Sequence, residues 1–336
     1  NDFDALVTRG MIYMYQGNLK KAFEDINNAL KVNPKRASFW NNRGLIYMRL
    51  NQIDSAIKDI SYAITLAPRY ANAFNNRGMC FYAKGDFERA LGDYNEAIKL
   101  SPEYPMFYVN RGVSLHASGK SQEALADFDQ ALKLRSNIPE AYIGRSNVLL
   151  SQGDLDRAID NASEAIRLDP ESAEAFNNRG WVRYQTGDVA GGRADFERAL
   201  TLNPEFAKAF SNLGVMLTDQ GDYDTALKSL SKAIELDQNS PLVYTNRANT
   251  WLGMGKYQKA REDFNKALDI APENPEALNG KAWFLATCSR DDYRDGGAAV
   301  ELATRACDVS GMRNWSYVDT LAAALAETGD FDKAIE

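Results

Sequence analysis

A single imidazole, His116, and three thiols, Cys80, Cys288 and Cys307, are the chain's whole stock of soft nucleophiles and soft metal ligands. A hydrolytic triad needs a base beside its nucleophile and an orienting group behind that base, and a zinc site needs several Cys or His side chains converging on one point. One histidine with cysteines this dispersed offers neither, so no catalytic residue, metal or cofactor is expected, and the thiols are expected to be free. Glycines are spread along the chain with no phosphate-binding loop among them. Carboxylates are numerous, but none is set apart as an acid and base pair.

The side chains that do recur at fixed spacing are hydrogen-bonding ones. Arg9, Arg43, Arg77, Arg111, Arg145, Arg179 and Arg247 stand on one 34-residue register, with Leu213 and Lys281 at the other two steps. Sixteen residues after six of these arginines come Asp25, Asp59, Asp93, Asp127, Asp195 and Asp263. Where Leu213 replaces the arginine, Ser229 replaces the aspartate, and Lys281 goes with Leu302. This joint loss suggests that Arg and Asp pair between helices, a contribution of about 0–1 kcal/mol each that sets register more than bulk stability. Arg145 is expected to keep an acceptor in Asn161. One residue before the arginines runs a second ladder, Asn42, Asn76, Asn110, Asn178, Asn212 and Asn246, with gaps at Thr8, Gly144 and Gly280 and further amides beside it at Asn41, Asn75 and Asn177. His116 falls where Met48 and Tyr82 stand in earlier steps.

The elements that must position these side chains are legible in residues 71–104, ANAFNNRGMCFYAKGDFERALGDYNEAIKLSPEY. Phe74, Gly78 and Phe81 lie at i, i+4 and i+7, and so do Ala90, Tyr94 and Ala97, which predicts two amphipathic helices. Gly85 ends the first and Asp86 caps the second, while Pro102 keeps it from running on. Glycine inside a helix costs about 1 kcal/mol relative to alanine. Its return at Gly10, Gly44, Gly78, Gly112, Gly180 and Gly214 therefore predicts close helix–helix approach. The pair Gly191–Gly192 lowers local helix propensity, and the prolines displaced to Pro139 and Pro241 predict altered linkers.

A 34-residue helix-turn-helix period with a large apolar residue, a small one, an aromatic, then Ala, aromatic, Ala and Pro resembles the tetratricopeptide repeat. The residues of this copy in those places are Phe74, Gly78, Phe81, Ala90, Tyr94, Ala97 and Pro102. The resemblance implies an all-α fold, a right-handed superhelical α-solenoid running as a single array over residues 1–336. About nine repeats start at residue 3, the ninth carrying five extra residues near 288–298, and a truncated tenth occupies about 315–336. That ending is similar to the terminal pair of repeats common in bacterial members of the family. Both ends of the chain are expected to be cut from something longer.

In such repeats the first helices line a concave groove, and the Asn76 slot faces into it. The ladder resembles that of the O-GlcNAc transferase superhelix, where asparagines in this slot hold the backbone of an extended peptide. An amide offers both a donor and an acceptor, which suits main-chain recognition. The alternative is that each Asn only bonds a neighbouring repeat. Further groove positions are Met14, Met48, Tyr82, His116 and Tyr184, with Met11, Tyr15, Leu45, Met79, Met106, Val113 and Trp181; methionine and aromatic side chains suit adaptable partner surfaces. The carboxylate clamp of certain co-chaperones places Lys before the groove Asn. Here that slot holds Val7, Asn41, Asn75, Val109, Ile143, Asn177, Ser211, Thr245 and Asn279, so no such clamp is present.

Composition agrees with an ordinary water-facing protein, 45% hydrophobic and 25% charged. A net charge of −7, from 46 acidic and 39 basic residues, argues against a nucleic-acid partner. No apolar run is long enough to insert in a membrane. The expected function is a protein-interaction scaffold binding a peptide segment of a partner protein in its groove. The competing reading is a structural or self-associating spacer that positions a catalytic or membrane domain outside this sequence.

Overall fold

Lys84 to Asp86 show how the chain makes its hairpins. Gly85 takes the left-handed backbone at φ +73°, which a side chain would resist, and Asp86 then accepts from the Arg89 amide at 3.1 Å to cap the next helix. The turn recurs with Gly17, Gly119, Gly153, Gly187, Gly221, Gly255 and Gly329 at positive φ, and Asn51 fills the same place at φ 57°. The result, in a computed structural model that describes residues 2–311 and 314–335, is a run of twenty α-helices with no strand among the described residues.

The chain forms two compact units, Asn1–Pro170 and Glu171–Glu336. In the first, five hairpins follow one another: α1 (Asp2–Tyr15) with α2 (Leu19–Val32), α3 (Ala37–Arg49) with α4 (Ile53–Leu66), α5 (Ala71–Ala83) with α6 (Phe87–Leu100), α7 (Pro105–Ala117) with α8 (Ser121–Leu134), and α9 (Pro139–Ser151) with α10 (Leu155–Leu168). The second has α11 (Ala173–Gln185) with α12 (Val189–Leu202), α13 (Ala207–Asp219) with α14 (Tyr223–Leu236), and α15 (Pro241–Gly253) with α16 (Tyr257–Ile270). It ends in α17 (Pro275–Thr287) with α18 (Gly296–Ser310) and α19 (Trp315–Glu327) with α20 (Phe331–Ile335). Each unit is an α-solenoid of stacked helix-turn-helix repeats.

The cores are built by the expected periodicity. Ala90, Tyr94 and Ala97 of α6 are buried, as are Ala260, Phe264 and Ala267 of α16. The recurrent glycine lets the paired helix come close: a β-carbon on Gly78 would stand 2.8 Å from the Tyr94 ring, and one on Gly214 would stand 2.5 Å from Leu230. At Gly180 and Gly192 the approach is backbone to backbone, each facing the other's carbonyl oxygen at 3.0 and 2.9 Å from an ideal β-carbon. Helix α12 runs through Gly191 and Gly192 without a break.

The displaced prolines open the next helix rather than close the last. Pro139 and Pro241 are the first residues of α9 and α15, where a missing N–H is harmless. The linkers keep their length of four residues, but the one at 135–138 lacks the backbone bond that Tyr104 makes to Ser101 at 3.2 Å in the linker before it. The ninth hairpin carries its extra residues between α17 and α18, where Asp291–Tyr293 form a 3-10 turn. Tyr293 packs there on Tyr257 and Phe284, and Arg294 pairs with Glu327 of α19 at 2.9 Å.

The three cysteines are free and buried. Burial pushes the Cys80 thiol up to about 12, and raises that of Cys307 as well. No group of His, Cys, Asp and Glu among the described residues could hold a metal ion, and no described helix is long and apolar enough to cross a membrane.

Candidate protein-interaction face

The first helices of each unit carry the two polar ladders, and the structure resolves what each one does. Each arginine clamps its aspartate with two bonds: Arg77 donates from Nε and Nη2 to Asp93 at 2.8 Å each, and Arg111 to Asp127 at 2.7 and 2.6 Å. Arg9–Asp25, Arg43–Asp59, Arg179–Asp195 and Arg247–Asp263 repeat this geometry. The aspartates are buried and the guanidinium groups partly so, except that of Arg9, which is exposed; such forked, charge-assisted pairs fix angle as well as distance. Arg9 holds the Asp25 carboxyl below the usual carboxylate range, chiefly through that hydrogen bond.

The same guanidinium also reaches backwards. Arg43 Nη1 donates to Asn27 at 2.7 Å, Arg77 to Ser61 at 3.2 Å, Arg111 to Asn95 at 2.7 Å and Arg247 to Ser231 at 3.3 Å, always sixteen residues upstream. One side chain thus ties three helices across a repeat boundary. Arg145 departs from the expected pairing: it reaches the upstream Asp129 at 3.3 Å, while Asn161 donates to the Arg157 carbonyl at 2.7 Å. A charged acceptor on one side outcompetes a neutral amide on the other.

The asparagines bond between repeats. Asn76 Nδ2 donates to Asn41 Oδ1 at 2.9 Å, Asn110 to Asn75 at 2.8 Å, and Asn212 to Asn177 at 3.0 Å; Asn246 donates to the Ser211 hydroxyl at 3.2 Å. Asn41, Asn75 and Asn177 are accordingly buried acceptors inside the seam. Asn42, Asn76, Asn110, Asn212 and Asn246 are half-buried, whereas Asn178 is buried. The Asn76 oxygen accepts from Asn75 at 3.3 Å, so its amide keeps one N–H and one lone pair beyond these bonds. Asn42 follows Val7, which offers no acceptor, and its oxygen lies 3.5 Å from Asn41 Nδ2.

Around these amides the other predicted groove residues differ in exposure. Met14 is buried in the first hairpin's core, Met48 and His116 are half-buried, and Tyr82 is exposed with its ring against Phe87. Burial pulls the His116 imidazole below its ordinary pKa, and Nδ1 lies 3.3 Å from the Ser121 hydroxyl. In the second unit Tyr184 packs on Trp181 and donates its hydroxyl to Asp219 of the next repeat; burial first, then that carboxylate, pushes it up to about 12.

Sequence reasoning missed the upstream partners of the arginines and a cavity lined by Trp283 and Asp319 in the second unit. A signal for the second existed: Gly280 interrupts the asparagine ladder.

Repeating hairpins with these seams define a helical repeat solenoid. Two profiles of the tetratricopeptide repeat match the chain, one over residues 71–104 and 241–274 and the other over residues 7–71, 109–173, 143–201 and 177–241. The chain belongs to the tetratricopeptide repeat family, whose repeats fit a protein–protein interaction scaffold. None of the curated proteins matches it. Among solved structures, it is similar to a tetratricopeptide repeat protein from Parabacteroides merdae with 21% identity over 74% of this chain and 98% of that one, at a TM-score of 0.61. It is also similar to the APC/C hetero-tetramer Cut9–Hcn1, with 15% identity over 95% and 75% of the two chains and a TM-score of 0.62. Yeast Tom70 matches with 16% identity over 99% and 82%, at a TM-score of 0.50. At these identities the likeness is one of fold.

Proposed function

We propose that the protein is a non-catalytic scaffold that holds an extended peptide segment of a partner protein along its first helices. The observation that carries this reading is the state of Asn76 and Asn110. Each is half-buried, and each amide is held in place by a bond of 2.9 or 2.8 Å to the preceding repeat. Bonding to a neighbour and bonding to a peptide are therefore compatible: the first orients the amide, and the remaining N–H and lone pair match those of a peptide group. A group already fixed loses little freedom on binding. Met48, Met79 and Tyr82 beside the first-unit ladder supply adaptable apolar contact.

The test is binding of an unbiased peptide library to the chain and to a variant carrying Asn42→Ala, Asn76→Ala and Asn110→Ala together, with helicity checked by circular dichroism. Three neutral hydrogen bonds at about 0.5–1 kcal/mol each predict a loss of about 10- to 100-fold. A folded triple variant that binds the same peptides equally well refutes the role of the ladder. Concentration-dependent self-assembly with no peptide bound would favour a spacer array instead.

A further inference from the structure

In the second unit the asparagine ladder stops, and its seam opens into a cavity of 330 Å³ between α15, α17 and α19. The cause is local. At the amide position of the ninth repeat stands Gly280, so Thr245, where the seam would accept, turns its hydroxyl to the Pro241 carbonyl at 3.0 Å. On the far side, Asn279 occupies the acceptor position that Asn41 and Asn75 hold in the first unit. The corresponding donor there would be Thr320, whose hydroxyl donates instead to the Ser316 carbonyl at 3.0 Å. Asn279 Oδ1 is left buried with no hydrogen-bond partner among the described residues. An acceptor in that state costs about 1–3 kcal/mol until a donor arrives.

The rest of the lining gives the donor's character. Trp283 presents an indole that is 46% exposed, and Asp319 presents an exposed carboxylate with no ion pair among the described residues. Among the described residues, no Lys, Arg or His lines the cavity. It thus combines an anion and an aromatic face in front of an amide whose oxygen is buried. A group with N–H donors and a positive charge satisfies both, by ion pair and cation–π contact.

We infer that this cavity is a subsite for a basic side chain, arginine or lysine, of the bound peptide. The inference rests on the peptide-scaffold reading for its biological ligand, but the cavity can be probed without a peptide. The full chain is labelled with 5-fluorotryptophan, the Trp283 fluorine resonance is assigned with Trp283→Phe, and the protein is titrated with N-acetyl-arginine methylamide, its lysine counterpart and neutral N-acetyl-citrulline methylamide. The cations should shift the Trp283 resonance saturably, and citrulline, which has arginine's shape without its charge, should bind about tenfold more weakly. Asp319→Asn, on an exposed residue, should abolish that difference. The inference is overturned if neither cation shifts the resonance saturably, if citrulline matches arginine, or if Asp319→Asn leaves the preference intact. A cavity that takes only water predicts the first of these results. Capped amino acids that bind while the peptide library fails would leave the cavity standing and remove the ladder reading. Library peptides that bind without basic preference, and equally to Asp319→Asn, would do the reverse.

Discussion

The first unit and the second are built from the same hairpin, yet their seams differ. In the first unit the ladder arginines Arg43, Arg77, Arg111 and Arg145 each reach an upstream acceptor, and the asparagine ladder runs from Asn41 through Asn110. In the second unit the seam acceptor passes from Asn177 to Ser211 to Thr245, Leu213 replaces one arginine, and Gly280 ends the ladder beside a cavity. The hairpins nevertheless keep their form: α13 through α17 each have the same thirteen or fourteen residues as their counterparts. Apolar packing is therefore sufficient to stack repeats, and the polar seam adds orientation. Where the seam lapses, a cavity opens beside it.

The largest effect that would sharpen this contrast comes from the core it leaves unchanged. Phe128 and Phe264 occupy equivalent places and are fully buried, but an ideal β-carbon on Gly112 or on Gly144 would meet the Phe128 ring, at 2.9 and 2.4 Å, whereas Phe264 is met from Gly280 at 2.8 Å. Phe128→Ala or Phe264→Ala should cost about 3–5 kcal/mol, read by hydrogen exchange in the affected helices. A loss below 1 kcal/mol at both sites would refute the primacy of apolar stacking.

Overpacking comes next. Gly78→Leu and Gly214→Leu should each destabilise by about 1–3 kcal/mol in urea unfolding, because the added side chain enters space held by Tyr94 or Leu230. An unchanged midpoint in both would remove the close-approach account of the glycines.

Asn76→Ala should cost about 0.5–1.5 kcal/mol, since it strands the buried Asn41 oxygen. Asn246→Ala should cost less, because the Ser211 hydroxyl it bonds can turn to another acceptor. Equal losses would break the distinction between a full and a thinned ladder.

The smallest effect concerns pH. The Asp25 carboxyl is held below its ordinary value in the folded state, so its pairing with Arg9 stabilises above the unfolded value near 3.9 and is lost as pH falls through the lower folded value. Asp25→Asn should therefore flatten the acid limb of the stability profile slightly while leaving neutral pH curves parallel to wild type. An unaltered acid limb would show that the pair does not report on folding.

The hairpins were readable because their signals are local and repeated: Phe74, Gly78 and Tyr94 each impose a size on the neighbour. The forward Arg–Asp bonds were readable because both partners keep their identity and disappear together at Leu213 and Ser229. The backward bonds were not, since Asn27, Ser61, Asn95, Asp129 and Ser231 share only an acceptor atom. Arg145 was misassigned for the same reason. The Trp283 cavity is harder still, because an absence at Gly280 creates it, and no residue type announces an oxygen left without a donor.

The two-way reach of the arginines also decides where this protein can be cut for grafting. Dividing the chain between α6 and α7 strips Arg111 of Asn95, and dividing it between α7 and α8 strips the same residue of Asp127. A transplanted stretch of regular repeats should therefore begin one second-helix early, carrying the acceptor for its leading arginine. Ahead of α13 the rule relaxes, because Leu213 has nothing to be orphaned from. A cut at residues 203–206 orphans no ladder arginine, but it still severs the Asn212–Asn177 and Tyr184–Asp219 bonds, so the graft must bring an acceptor and a donor for these.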